Sequence, residues 1–435
     1  MLRWLLKLLF LSLLGYGLYL AAIKEAPDRN PPGGAHGILA ANLPERAGQP
    51  EVRILLADAL THATLAINGR VRMEAVNMQM RKQSGEFTQS VAVEVTPTGR
   101  GVKVGTELYV RVRLKNLDSQ PLRLSWQGDG NAETTISIPH EIEIYGTHIE
   151  INKKQVPRVR ILARLPIEEY LYGVVASEVP TSWPLEALRA QAVASRSFAY
   201  FEVRSRRSEE YDVHATVRSQ VWRPSLAVEP QVKRAVDSTA GIVITEKNAL
   251  IKTFFHSECG GFTADARWVF TRTPILALSG VRCRRCSDRG NRPSSWNVTY
   301  TKQEIASRLS RAGLMRQPGE IRLIQGLDQT GTPMGKKLGR VVTLELVMAG
   351  GRALTQRIPA NDFRLAMGAD RANLASTYMT IDGGDGPRVT FSGYGWGHGV
   401  GMCQHGASYA ASRLGYGFLD ILALYYPGSK PLRLW

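Results

Sequence analysis

The chain has 435 residues, of which 44% are hydrophobic, so it can bury a sizeable core and is neither disordered nor low-complexity. Its 55 Lys and Arg outweigh 38 Asp and Glu for a formal net charge of +17, a field that draws polyanions: nucleic acid, anionic lipid headgroups or bacterial wall polymers. No Ser/His/Asp arrangement, kinase signature or P-loop is present, because Gly-Trp-Gly-His-Gly-Val-Gly (395–401) lacks the Lys-Ser/Thr ending that holds phosphate and metal.

The N-terminus decides among the polyanions. Arg3 and Lys7 precede an uncharged apolar run from Leu8 to Ile23, and Leu20-Ala21-Ala22 is a poor cleavage site. Residues 1–24 are therefore expected to be an uncleaved signal-anchor helix, with a secreted protein as the outcome if cleavage occurs. Positive charge before the span places the body outside the cytoplasmic membrane. Export removes nucleic acid as a partner and favours a wall polymer or membrane surface.

Residues 25–50, rich in Pro and Gly without a period, read as a linker. From 51 to 156, short apolar runs such as VRILLA, ELYVRVRLKN and EIEIYG alternate with turn residues such as Asn68-Gly69 and predict a β-rich region. The pattern then changes. Pro166 opens a predicted helix through IEEYLYGVVASE, which Pro180 stops, and a second helix runs through LEALRAQAVASRSFAYFEV with Ser182 as its expected N-cap. Strands return from Gly241 to Trp268, a short helix follows at 302–313, further strands lie around 341–350 and 389–395, and a last helix lies near 405–425. Helices and strands without regular alternation predict an α+β body over 157–435.

Glu178 lies between the two central helices in Ser-Glu-Val-Pro. Val179, before a proline, is pushed toward extended geometry, so the carboxylate is expected to project into open space. Val174, Val175, Val179 and Trp183 surround it in sequence, and apolar surroundings favour a protonated carboxyl, which suits a general acid. A capping or surface-paired Glu is the structural alternative. Gln191 and Arg196, five positions apart, point to different faces of the second helix, and Arg196 is either a glycan contact or a buried structural Arg. In the glycine-rich segment, Trp396 offers a face for a sugar ring, and His398 and Gln404 offer hydrogen bonds; a tight turn around a core histidine is the alternative. His256, Cys259, Cys283 and Cys286 form a His-x-x-Cys…Cys-x-x-Cys pattern suited to a closed structural zinc site. Disulfides, which export permits, compete with it: three cysteines cannot all pair, but Cys403 could supply the fourth partner.

Residues 165–200 and 393–428 closely resemble the two signature motifs of the SpoIID/LytB family. Weaker matches lie in YDVHATVRSQVW (211–222), FFHSECGGFT (254–263), GRVVTLEL (339–346), FRLAMG (363–368) and LASTYMTI (374–381). The resemblance spans about 165–428 and leaves 51–150 without a nameable motif; His214 and His405 stand where the family more often has other residues. It implies a lytic transglycosylase that cleaves denuded peptidoglycan strands to 1,6-anhydro-muramyl ends. Glu178 would serve as acid and then base, with Arg196, Gln191, Trp183, Gln220, Trp396, His398 and Gln404 on the substrate. Some members are amidase enhancers, so a non-catalytic wall-binding protein that stimulates a peptidoglycan amidase is the alternative; a scaffold bridging membrane and wall is a third reading.

Overall fold

A computed structural model of the chain describes residues 39–40, 48–60, 63–67, 70–77, 82–87, 91–98, 101–104, 107–117, 122–127, 133–138, 141–151, 154–224, 228–283, 294–315, 319–349, 355–370 and 372–435. The expected anchor at 1–24, most of the linker and the Asn68-Gly69 turn lie outside these residues. No helix among the described residues is long and apolar enough to cross a membrane. The architecture is α+β and rich in strands, in two compact units. One contains residues 50–178 and 206–228, the other 179–205 and 229–435.

The first unit is built on a sheet whose neighbours run Val213–His214, Glu51–Leu60, Lys154–Pro166, Glu141–Ile151, Glu107–Asn116, Gly101–Val104, Val91–Thr98 and Ala63–Ile67. The pairing is antiparallel except at Val213–His214, which lies parallel to Glu51–Leu60 with Val213 opposite Ile54. In Glu107–Asn116, Val112 and Leu114 are buried while Arg111 and Lys115 are exposed, the two-residue period of a strand with one dry face. Val52, Ile54, Ile142, Ile144, Ile161, Ala163 and Leu165 complete that core. Charged residues brace neighbouring strands, as where Arg164 reaches Glu143 at 3.1 Å and Arg113 reaches Glu141 at 2.8 Å. Strand Lys154–Pro166 leads directly into helix α1 (Ile167–Glu178), where Pro166 fits because a helix start needs no N–H there.

The edge of this sheet is fixed by an ion pair. Asp212 is 1% exposed, accepts from the Arg53 backbone N–H at 2.7 Å, and its other oxygen lies 2.6 Å from Arg53 Nη2. Arg53 also donates to the carbonyl of Arg206 at 2.8 Å, and Asp212 N–H returns a bond to the Arg53 carbonyl at 2.9 Å. The segment after Asp212 is thereby held beside Glu51–Leu60.

The second unit begins with a turn in which Trp183 N–H bonds the Pro180 carbonyl. Helix α2 (Leu185–Ser205) starts at the Pro184 carbonyl, which accepts from Ala187 and Leu188. Ser182 is thus left in the turn rather than at the N-cap, because Pro184 provides the first helical acceptor. Helices α3 (Pro230–Ser238), α4 (Lys302–Arg311), α5 (Ala360–Met367), α6 (Gln404–Leu414) and α7 (Phe418–Tyr425) follow. Helix α4 has a capping box, with Thr301 Oγ1 accepting from Glu304 N–H at 3.1 Å and Glu304 Oε2 accepting from Thr301 N–H at 2.7 Å. The residues of α2, α6 and α7 pack with strands Ile242–Glu246 and Ala249–Ile251 into one core that includes Val193, Phe198, Ile244, Ile251, Ile421 and Tyr425. A second core forms where α4 and α5 cover the sheets Ile321–Leu327/Thr343–Met348/Thr355–Pro359 and Ser295–Thr301/Arg388–Tyr394/Tyr378–Asp382/Gly339–Arg340.

Replacing Asp212 by Ala strands a largely buried guanidinium, and stability is expected to fall by about 3 kcal/mol in urea unfolding. A loss below about 1 kcal/mol would show that Arg53 finds water instead.

Candidate functional site

In the first unit, Glu178 is the last residue of α1. A carboxylate there faces the negative end of the helix dipole, which costs about 0.3–1 kcal/mol relative to a neutral residue. Compensation comes from the segment after Asp212: Val221 N–H donates to Glu178 Oε1 at 2.7 Å. That segment lies against α1 because Gly173 leaves room for it. A Cβ at Gly173 would stand 2.4 Å from the Arg223 carbonyl oxygen and 2.6 Å from Trp222 Nε1. Tyr170 stacks on Trp222 with ring centres 6.4 Å apart, and its hydroxyl donates to Gln220 Oε1 at 3.0 Å. Gln220 is buried, whereas Glu178 is half-buried. The structure therefore packs one short segment on α1 that carries Gln220 and reaches Glu178, at the end of that helix, through Val221.

In the second unit, Gln191 and Gln404 are both buried and meet each other, with Gln404 Nε2 donating to Gln191 Oε1 at 3.4 Å. Gln191 also donates to Ser195 Oγ at 3.0 Å. Trp183 is half-buried and packs edge-on against His405, ring centres 5.2 Å apart. Arg196 has a structural task instead: it is 0% exposed, and its guanidinium donates to the carbonyls of Val236 and Ile242, each at 3.2 Å. Val236 lies in the last turn of α3, so Arg196 satisfies the carbonyl end of that helix.

The glycine-rich motif is laid out by a short parallel pairing, Phe255–His256 beside Met402–Cys403. Gly401 has φ +72°, and a Cβ there would lie 2.0 Å from the Phe254 carbonyl oxygen, so no other residue fits. Trp396 and His398 are half-buried. Trp396 Nε1 donates to the Ala369 carbonyl at 3.2 Å, and His398 Nδ1 accepts from Val400 N–H at 3.1 Å. Burial, followed by the neighbouring His256, holds His398 well below the usual histidine range, so it stands neutral near pH 7.

The parallel pairing sets His256 opposite Cys403. Ligand atoms of His256, Cys259 and Cys403 lie within 4.8 Å of one another, and all three residues are buried. His256 Nδ1 meets the Val400 carbonyl at 3.1 Å, while its Nε2 is buried without a hydrogen-bond partner. Burial, with Arg340 adding to it, pushes His256 down to about 3, which leaves a neutral imidazole. A soft His/Cys/Cys donor set with an orphaned imidazole nitrogen fits a metal of the zinc type. The group differs from the sequence spacing: Cys403 stands with His256 and Cys259, Cys283 Sγ lies 3.2 Å from the Tyr425 hydroxyl, and Cys286 lies outside the described residues. Burial and the surrounding Cys403, Cys283 and Cys259 raise the Tyr425 phenol well above its usual value.

Two arginines that the sequence reading gave no role converge on the same motif. Arg340 donates to the carbonyls of Cys259 and Phe262 at 3.0 and 2.8 Å and to Thr377 Oγ1 at 3.3 Å. Arg364, on α5, is 6% exposed; burial and the Arg340 charge push it down to about 10. Each lies in a segment whose resemblance was weak, GRVVTLEL and FRLAMG. The available signal was an arginine on an otherwise apolar helix face between Phe363 and Met367.

Residues 156–245 match the SpoIID family, described as stage II sporulation protein. Over this stretch the chain is similar to SpoIID. The matched stretch carries α1, α2 and the segment packed on α1, and so includes Glu178, Gln191, Arg196 and Gln220. Longer similarities extend past it. Stage II sporulation protein D of Bacillus subtilis is 28% identical over 314 residues, 69% of this chain and 81% of that protein. An uncharacterised protein of Brachyspira hyodysenteriae is 28% identical over 291 residues, 66% of this chain and 72% of the relative. The amidase enhancer of Bacillus subtilis is 29% identical over 290 residues, 60% of this chain but 40% of its own length, so this chain spans less than half of that relative.

Substituting Gly401 by Ala in this SpoIID-like chain forces both a left-handed backbone and a collision with Phe254. Stability is expected to fall by at least about 2 kcal/mol, read as a lowered thermal midpoint. An unchanged midpoint would mean that the 254/401 approach relaxes freely.

Proposed function

We propose that this chain is a peptidoglycan lytic transglycosylase of the exported cell-wall type, held at the membrane by its N-terminal segment. The observation that supports this reading best is Glu178: a half-buried carboxylate at the unfavourable end of α1, held by Val221 N–H, within the stretch that matches SpoIID. Its carboxyl would donate a proton to the glycosidic oxygen as the bond to the muramyl C1 breaks. The resulting carboxylate would take the proton of the same sugar's C6 hydroxyl as that oxygen attacks C1. The ring closure replaces water, so one carboxyl serves both halves of the reaction. Trp183, Trp396, His398 and Gln404 are the proposed glycan contacts of the second unit, where Gln191 supports Gln404, and Gln220 is a proposed contact of the first unit. The basic surface would add long-range attraction to an anionic wall.

The reading is tested by digesting intact and amidase-stripped peptidoglycan with the full chain and with Glu178→Gln, and reading the products by mass spectrometry. Anhydro-muramyl ends are expected from the wild type, with yield reduced at least about a hundredfold in the variant. The name of the amidase enhancer favours a second reading, in which the chain stimulates an amidase without cutting glycan. No new glycan ends on either substrate, together with faster amidase turnover, would decide for it.

For the metal, His256, Cys259 and Cys403 are the proposed ligands of a structural zinc, which when bound would tie the 256–259 turn to the start of α6. Chain purified without chelators is expected to carry about one zinc by elemental analysis, and Cys403→Ser to lose most of it. Metal-free wild type with a Cys259–Cys403 disulfide in peptide mapping would replace zinc by a covalent staple.

A further inference from the structure

One loop of the second unit holds large apolar side chains in water. Residues 263–281 leave and rejoin the body at a closed neck: Thr263 N–H bonds the Val281 carbonyl at 2.9 Å, and Val281 N–H bonds Thr263 Oγ1 at 2.7 Å. Within the loop, Ala266, Ile275, Ala277 and Leu278 are buried in the core, and the buried Glu246 carboxylate accepts from Ala277 N–H at 2.8 Å. The loop is therefore pinned from inside. Even so, Trp268 is 38% exposed, Leu276 57% and, at the neck, Phe262 48%. Side chains on a pinned backbone cannot fold back to shed that exposure, and a group of them on one loop marks a surface that meets a partner.

The charge beside them selects the partner. Residues 262–282 carry Arg267, Arg272 and Arg282 against one acid, Asp265, which Arg267 engages at 2.6 Å. The Arg267 guanidinium lies 5.2 Å from the centre of the Trp268 ring, and that of Arg282 lies 5.6 Å from the centre of the Phe262 ring. Arg272 and Arg282 are exposed. An arginine beside an exposed ring can turn its charge to phosphate while the ring enters an apolar phase. Leu276 has nothing to offer a hydroxyl-rich polymer but gains from contact with acyl chains. The course of the chain brings a bilayer within reach. Leu39 pairs with Ile251 on strand Ala249–Ile251, whose neighbour Ile242–Glu246 supplies the carboxylate that holds the loop. Only residues 25–38 separate Leu39 from the expected anchor, and that stretch spans about 50 Å when fully extended.

We propose that the 262–282 loop is a peripheral contact with an anionic lipid surface, in which Phe262, Trp268 and Leu276 enter the bilayer interface and Arg272 and Arg282 take headgroup phosphates. This rests on the membrane-anchor reading above and extends it: the anchor limits the distance, and the loop determines which face of the second unit turns to the lipid. Insertion by about 5–10 Å, the depth of interfacial segments, is sufficient. The contact joins a small apolar area to a few charges near the surface, so it is reversible and weakens with salt.

The test reads Trp268 fluorescence in the full chain, reconstituted through its own N-terminus into nanodiscs of phosphatidylcholine alone or mixed with phosphatidylglycerol. The Trp268 signal is the difference between wild type and Trp268→Phe, a substitution that keeps an aromatic ring in place. With acyl chains brominated near the headgroup, that signal is expected to be quenched at least about twofold more in the mixed discs, and to lose the excess in about 1 M salt. The double variant Arg272→Ser, Arg282→Ser, checked for folding by circular dichroism, should lose it too. Quenching that is absent, or equal in the two lipids, overturns the proposal whether or not the variants fold. Shielding of Trp268 from aqueous iodide by soluble wall glycan in detergent, without quenching by lipid, assigns the loop to the wall polymer and also overturns it. A chain that the discs do not retain removes the anchor reading; if that free chain still binds phosphatidylglycerol vesicles, and the double variant Trp268→Ser, Leu276→Ser does not, the loop contact stands alone. A retained chain with unquenched Trp268 does the reverse.

Discussion

The second unit is organised around a two-residue parallel pairing, Phe255–His256 against Met402–Cys403. Two stretches of backbone can come this close only where side chains are absent, and Gly401 against the Phe254 carbonyl is where that condition is met. Once the pairing forms, His256 and Cys403 are neighbours, α6 begins with Cys403 Sγ accepting from Gly406 N–H at 3.4 Å, and the 396–399 loop is laid beside 375–377. Chemistry-bearing side chains as distant in sequence as Cys259, Arg340, Arg364 and Trp396 owe their common neighbourhood to it.

The first unit solves a different problem, the placing of a carboxylate at the end of a helix where the backbone repels it. The ion pair of Asp212 with Arg53 fixes the start of a returning segment, Gly173 admits Trp222 against α1, and Val221 then reaches Glu178 with its N–H. Each step depends on the one before. The carboxylate is held by a backbone donor, which cannot be lost to side-chain substitution except by moving the whole segment.

Local signals carried the helices well. Pro166, Pro180 and the apolar stripe of LEALRAQAVASR locate α1 and α2 because helix ends and amphipathic faces are short-range properties. Alternation in ELYVRVRLKN did the same for the sheet. What sequence could not reveal was long-range. Arg196 reads equally as a ligand contact or a structural residue until α3 is seen to end at its guanidinium. Cys403 joins His256 and Cys259 through a strand pairing that bridges nearly 150 positions, which no spacing rule encodes. Arg364 drew no reading from the sequence, and its bonds to Asn361 and the Ala375 carbonyl became visible only with its neighbours in place.

The interleaving of the chain between the two units has an evolutionary consequence. The path leaves the first unit after Glu178, returns at Arg206 and leaves again after Val228. A gene fragment ending at residue 178 would omit Asp212, the edge strand Val213–His214 and the Val221 donor, and so would lack parts of its own core and of the carboxylate's support. Neither unit can be lifted out as a contiguous cassette. Duplication, fusion or exchange that keeps each core whole must carry the two together.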